Sequence, residues 1–354
     1  MNTFNRNGAF SCNLKEIVGD DVVCMIPTKD FMEFLHKNKI SRMVLPETKD
    51  PDNKNPNLKP EIYVHNEHAG AKNAIVVRLS YQVNELLQIF YNGQEDLEIR
   101  ENIITHIAEA RDELLEAENI SNSIINDIEK LNQENSKIDT NQTNLVTVKK
   151  IDNLEKRVKH YLSCLKGFCK NLIKIANPIF GTDFESPWFH KLEQHLTEKY
   201  GPEDELAQFL RSENCKGFLE MIIGMRNATE HKSKTGEIFI KNYEYEADGI
   251  VYEPQWLFLY SRENKLAFKR QGLLREDLSS LIKEVLSFAE DFYSLCLTYK
   301  ITTKEGLFQH MTISIEKIEE KNVDPELPVK IKWHLEPLPE SALMKGLMDQ
   351  MKNN

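Results

Sequence analysis

Apolar residues recur along this chain at two periods, and the changes from one to the other divide it into segments. From about Ala71, Val76, Leu79, Val83, Leu86, Leu87 and Phe90 return every three or four positions, which predicts a helix with one core-facing stripe. Asn92-Gly93 stops it. A second, very long helix is expected from about Glu95, with Ile99, Ile103, Ile107, Leu114, Ile120 or Ile124, and Ile128 as its stripe. After a polar break from Asn132 to Asn144, a third long helix is expected from about Leu145 to Ala176, ended by Asn177-Pro178. Ser186-Pro187 reads as the start of another helix, stopped at Tyr200-Gly201-Pro202. A short helix over Glu203 to Arg211 and one from about Asn214 to Lys232 complete this run.

The period then shortens to two. Glu237 to Glu246 alternates, Ala247-Asp248-Gly249 makes a turn, and Trp256 to Tyr260 is aromatic and β-branched, so a small antiparallel meander is expected. Leu274, Leu278, Leu281, Ile282, Val285, Phe288, Ala289, Phe292 and Leu295 restore helical spacing up to Tyr299. Met311 to Ile315 and Val329 to Trp333 alternate again, predicting one or two strands able to pair with the meander. Before Ala71 the pattern is weakest. Asp30 to Lys39 suits a short helix with Phe31, Phe34 and Leu35 on one side, and four prolines between Pro46 and Pro60 make a surface loop.

The fold expected is mainly α: a helical bundle with an antiparallel β insertion and a long N-terminal helical hairpin. Residues 1–70 form an N-terminal segment with a proline-rich loop, and 71–135 the hairpin. A helical domain over 145–300 carries the β insertion at 236–270, and 301–354 form a β-containing tail.

Composition narrows the function classes. The chain has 354 residues, enough for two domains, and its 40% hydrophobic and 29% charged content fits a globular protein. Without an apolar run of about 18 residues no membrane span is expected. The first residues lack a basic segment followed by an apolar core, so a cytoplasmic chain is expected, and Asn227-Ala228-Thr229 is a chance match to a glycosylation acceptor. Six scattered cysteines without a Cys-x-x-Cys read as reduced, mostly buried thiols. His65 and His68 lack neighbouring partners for a tetrahedral metal, so no metal and no cofactor are expected.

A net charge of −11 opposes coating of nucleic acid by bulk electrostatics, yet the charge is uneven. Glu95 to Glu134 holds twelve acidic and three basic residues, net −9, whereas Leu145 to Ala176 holds eight basic and two acidic, net +6. No glycine-rich phosphate loop, Gly-x-Ser-x-Gly elbow or His-Glu-x-x-His occurs, which removes support for P-loop, serine-hydrolase and zinc-protease chemistry. Trp256, Phe258 and Tyr260 could stack bases, but alternating aromatics in a strand usually face a core. His190 and His195 read as packing or surface residues.

The chemistry-bearing stretch is Gly224-Met225-Arg226-Asn227-Ala228-Thr229-Glu230-His231, at the end of an apolar helical run and before a basic turn, Lys232-Ser233-Lys234-Thr235-Gly236. Arg226 with Asn227 next to it and His231 five positions on, in a helical setting of about 150 residues, resembles the HEPN superfamily (higher eukaryotes and prokaryotes nucleotide-binding). The long N-terminal region and the β insertion depart from its shortest members. The resemblance implies a HEPN-like bundle and a metal-independent endoribonuclease, acting as a homodimer on RNA. It further implies a toxin or phage-defence effector, which a protein inhibitor or antitoxin could restrain.

Independently of that resemblance, histidine suits proton transfer at the ribose 2′-hydroxyl or the leaving 5′-oxygen, and a guanidinium suits the phosphorane oxygens. Five residues of helix turn about 140° past a full turn, so Arg226 and His231 do not share a face, whereas Asn227 and His231 do. Arg226 aligns with Glu230, which could hold it, and Gly224 could permit a close helix approach. This spacing calls for arginines and histidines from two copies at one cleft. Lys149, Lys150, Lys159, Lys166, Lys232 and Lys234 are the candidate phosphate contacts. A plainer alternative stays open: Arg226–Glu230 as an ordinary surface pair and His231 with Lys232 opposing the helix dipole, in a catalytically silent scaffold that binds a protein partner or nucleotide.

Overall fold

The computed structural model describes residues 18–28, 30–91, 93–136, 146–230, 236–262, 265–303 and 311–337, and about 56% of the described structure is helical. The chain divides into two compact units. The first is built from residues 1–108, 174–183 and 292–354, and the second from 109–173 and 184–291.

In the first unit, β1 (Val22–Pro27), β2 (Phe31–His36), β3 (Ile40–Val44) and β4 (Glu61–Asn66) form an antiparallel sheet in sequence order. The helix expected over Asp30 to Lys39 is therefore a strand. Four consecutive residues of β2, Glu33 to His36, are buried, and a strand covered on both faces shows an apolar run rather than alternation. The turn closes with the His36 amide donating to the Lys39 carbonyl at 2.9 Å. Gly70 lies against that turn, where a Cβ would stand 2.4 Å from the His36 carbonyl oxygen and the Lys39 nitrogen. Two polar pairs lie in this sheet, one buried and one part-buried. His36 Nε2 is 2.6 Å from Ser41 Oγ, and Arg42 Nε donates to Glu33 at 3.0 Å. The proline-rich stretch forms one helical turn, α1 (Pro46–Lys49), then turns in which Asp50 accepts from the Lys54 and Asn55 amides.

The first helical stripe forms α2 (Ala74–Val76), a π-helical turn over Val77–Tyr81, and α3 (Gln82–Phe90). Asn73 starts it by accepting from the Ile75 and Val76 amides. Val76, Leu79, Val83, Leu86, Leu87 and Phe90 are all buried. At about 1.5–3 kcal/mol per buried side chain, the stripe outweighs the few tenths that each β-branched residue costs a helix. Arg78 and Gln82, buried in and beside the π turn, serve another segment: Arg78 Nε donates to the Pro328 carbonyl at 3.3 Å, and Gln82 Oε1 accepts from the Lys330 amide at 3.2 Å. The tail strands β10 (Met311–Lys317) and β11 (Ile331–Pro337) pair antiparallel with each other, not with the meander.

The second long helix is α4 (Leu97–Asn135), buried at Ile103, Ile107, Leu114, Ile124 and Ile128. The third, α5, spans Leu154–Lys174, so the start expected at Leu145 comes too early. The segment before it is extended because two side-chain amides take its backbone. Asn135 pairs with both the amide and carbonyl of Lys149 at 3.2 Å, and Asn242 with those of Ile151 at 3.0 and 2.8 Å. At the far end the helix restarts as α6 (Ala176–Phe180) and stops at Gly181, whose φ of 70° is left-handed.

In the second unit follow α7 (Phe189–Tyr200), α8 (Glu205–Arg211) capped by Asp204, and α9 (Glu213–Glu230). The meander is more elaborate than expected: β5 (Gly236–Lys241), β8 (Gln255–Arg262) and β9 (Lys265–Leu273) form a three-stranded sheet, with a ribbon of β6 (Glu244–Tyr245) and β7 (Val251–Tyr252) between β5 and β8. The long helix α10 (Leu274–Thr303) then buries Leu274, Leu278, Leu281, Ile282, Val285, Phe288, Ala289 and Phe292, with Cys296 taking the place expected for Leu295. Among the described cysteines all thiols are free, and Cys164, Cys169, Cys215 and Cys296 are buried. No helix of the described residues is long and apolar enough to cross a membrane.

Candidate functional site

Helix α9 presents two stripes of different chemistry. Cys215, Leu219, Ile222 and Met225, spaced by three and four, are buried and fix the helix in the unit. Glu213, Lys216, Glu220, Gly224 and Asn227, also at helical spacing, line a cavity of about 720 Å³. Its remaining walls include Lys166 of α5, Trp188 and His190 at the start of α7, and Tyr260 of β8. The close approach that Gly224 allows is made by β8 of the same chain: a Cβ there would meet the Phe258 ring at 3.1 Å and the Tyr260 ring at 3.5 Å. A Cβ on Gly236, where the chain returns as β5, would meet Phe258 at 3.2 Å and the Ala228 methyl at 3.7 Å.

Arg226 pairs with Glu230 one turn on, the alignment that helical spacing dictates. The guanidinium side chain is 20% exposed and the carboxylate 44%. Asn227 Oδ1 accepts from Lys166 Nζ at 2.9 Å, a contact 61 residues apart in sequence. Partial burial, and then the nearby Arg226 guanidinium, hold the Lys166 ammonium below the ordinary lysine value. Lys166 and Asn227 thus meet at the end of α9, on the rim of an aromatic-lined cavity, with the Arg226 guanidinium close enough to act on the lysine's charge.

The other candidate residues divide as follows. Lys149 lies in the extended segment before α5 and pairs with Glu134 at 2.7 Å, with Lys150 beside it. Lys159 pairs with Glu155 at 2.6 Å and lines a separate hollow with Lys156, Ile240 and Asn242. Of the four candidate lysines that are described, Lys166 alone borders the motif's cavity. His231, Lys232 and Lys234 lie outside the described residues. Trp256 and Phe258 are buried, as alternating strand aromatics usually are, while Tyr260 is half-buried on the cavity.

No family model, curated protein or solved structure matches this chain. Its function is therefore read from the chemistry of the site.

Two constellations elsewhere look catalytic by residue type and are not by environment. Buried His36 donates from Nδ1 to the Asp20 carbonyl at 3.2 Å, which leaves Nε2 to accept from the Ser41 hydroxyl. Both residues are sealed at 0% exposure, so no substrate reaches the hydroxyl. Cys164 Sγ lies 3.9 Å from His160 Nδ1, but burial and the Glu113 and Glu116 carboxylates push the thiol up to about 12. A thiol that keeps its proton at neutral pH is a poor nucleophile. Among the described residues, no group of three or more His, Cys, Asp or Glu is placed to hold a metal ion.

Sequence reasoning gave the cavity no outline. Lys166 appears there as one lysine of several, and Trp188 only as part of a helix start. The available signal is the second stripe of α9, polar and small positions recurring at helical spacing alongside the apolar ones.

Proposed function

We propose that this protein is a metal-independent endoribonuclease of HEPN type whose site is built around the end of α9. The observation that carries the reading is the meeting of Lys166 and Asn227 on the rim of the cavity, with the Arg226 guanidinium near enough to act on the lysine's charge. An ammonium whose charge is disfavoured by a nearby guanidinium is stabilised by an anion between the two, and a phosphodiester is such an anion. In the proposed reaction the ribose 2′-oxygen gives up its proton and attacks phosphorus. The 5′-oxygen leaves with a proton, and a 2′,3′-cyclic phosphate remains. Arg226 and Lys166 oppose the extra charge on the phosphorane, which is worth about 10²- to 10³-fold in rate for a single well-placed donor. His231 is assigned the proton transfers, and Asn227 holds Lys166. As the helical spacing read from the sequence calls for, each cleft takes these groups from two protomers.

One observation favours a second reading. Arg226 is already paired with Glu230 and Asn227 with Lys166, as in a silent scaffold whose charges are satisfied internally. Overexpression separates the two. The nuclease reading expects growth arrest and fragmented cellular RNA with the wild type, relieved by Arg226→Ala or by His231→Ala. Equal growth and intact RNA for all three proteins would leave the scaffold.

A further inference from the structure

The cavity beside the motif is larger and more varied than phosphate binding requires. Its volume of about 720 Å³ lies within the range, about 300–1,000 Å³, that encloses a small organic ligand. Its aromatic wall is unusual in its exposure: Trp188 is 41% exposed although it opens a helix of the second unit, and Lys191 Nζ stands 3.8 Å from its ring centroid. Tyr260 adds a second ring on the cavity. Flat aromatic walls beside a cation suit a nucleobase attached to a phosphate, because every base has a π-face and every link an anion. Glu213 and Glu220 also line the space, and carboxylates repel bare phosphate. They accept hydrogen bonds from exocyclic amino groups, the pattern by which acidic side chains read cytosine.

We propose that the cleft between α7, α9 and β8 is the base-binding subsite of the RNA site, taking one unstacked, amino-bearing base of a single strand against Trp188 and Tyr260, with its phosphate at Lys166. This rests on the reading of the motif as an RNA site. It adds that the substrate is single-stranded at the cut and that adenine, cytosine or guanine is preferred to uracil there. Helix α9 supplies both halves: Asn227 orients the lysine, and the stripe from Glu213 to Gly224 forms the floor beneath the base.

The test uses labelled 2′-fluoro oligoadenylate and oligouridylate, which lack the attacking hydroxyl and so report binding whether or not the protein cuts. Oligoadenylate should quench tryptophan fluorescence and bind at least several-fold more tightly than oligouridylate. Trp188→Ala should weaken binding about 10-fold, the loss expected for one base stack. Trp188→Phe should keep most of the affinity while abolishing the quench, since Trp256 is sealed at 1% exposure and Trp333 does not line this cleft. Lys166→Gln should flatten the salt dependence. Free AMP and ribose 5-phosphate serve as comparison ligands. AMP binding as tightly as the oligonucleotide would assign the cleft to a free nucleotide and overturn the proposal, as would equal affinity for the two oligonucleotides or no loss with Trp188→Ala. Binding that behaves as described in a protein that cuts no RNA would sink the nuclease reading and leave the base subsite standing.

Discussion

Two polar pairs, one in each unit, hold the same kinds of group in opposite circumstances. In the first unit, His36 and Ser41 meet at 2.6 Å between strands β2 and β3, both at 0% exposure, with the second ring nitrogen occupied by the Asp20 carbonyl. In the second unit, Lys166 and Asn227 meet at 2.9 Å on the rim of a cavity, beside a guanidinium that raises the cost of the lysine's charge. The first pair consumes its hydrogen-bonding capacity within the fold and contributes stability. The second leaves two ammonium protons and an amide N–H₂ available to a ligand. A histidine beside a serine is therefore weaker evidence of chemistry here than a lysine beside an asparagine, because access and unused valence decide the matter.

That contrast is tested first where the effect is largest. His36→Ala should cost about 2–4 kcal/mol of stability, from the cavity it leaves and the orphaned Ser41 hydroxyl, with RNA binding unchanged below the melting transition. Denaturant titration with a binding assay on the folded protein reads both, and a stable variant would mean that the sealed pair is not a stabilising element. Gly70→Ala should follow at about 1–3 kcal/mol, since its Cβ would meet backbone atoms of the β2–β3 turn rather than a side chain that can move.

Asn227→Ala should shift stability by less than about 1 kcal/mol, because the lost bond to half-exposed Lys166 is offset by the better helix propensity of alanine. The same variant should lose most of its RNA affinity. Affinity retained at the wild-type level would remove Asn227 from the site.

The smallest effect is in pH. Burial lowers the His36 pKa from its ordinary 6.5, so the unfolded chain binds the proton more readily. Stability from this group is thus present above pH 6.5 and lost as pH falls from there through the lower folded value. Asp20 opposes the shift through its carbonyl and its carboxylate, and Lys39 adds to it. Melting curves should show that slope in the wild type and a flatter one in His36→Gln.

How far sequence predicts this molecule depends on whether the deciding contacts are local. The stripes of α3, α4 and α10 are legible because helical spacing and burial coincide at every expected position except Ile99 and Leu295. Asp30 to Lys39 misleads because β2 is buried on both faces, which erases the alternation that marks a strand. Val146 to Asn153 misleads for a different reason. Lysines and β-branched residues there are compatible with helix, and only the amides of Asn135 and Asn242, one earlier and one much later in the chain, take the backbone into an extended path. The pairing of Arg226 with Glu230 follows from helix geometry alone. The partner of Asn227 does not, since Lys166 reaches it from another helix, and the cavity around them joins six elements, α5, α7, α8, α9, β5 and β8, that no single window of sequence contains.

The central claim, that the end of α9 cuts RNA without a metal, is tested most directly by incubating purified protein with RNA in EDTA, wild type beside Arg226→Ala, and analysing the product ends. Fragments ending in 2′,3′-cyclic phosphate from the wild type, and a loss of at least about 10²-fold in the variant, are predicted. Intact RNA, or equal cleavage by the two proteins, would contradict the account.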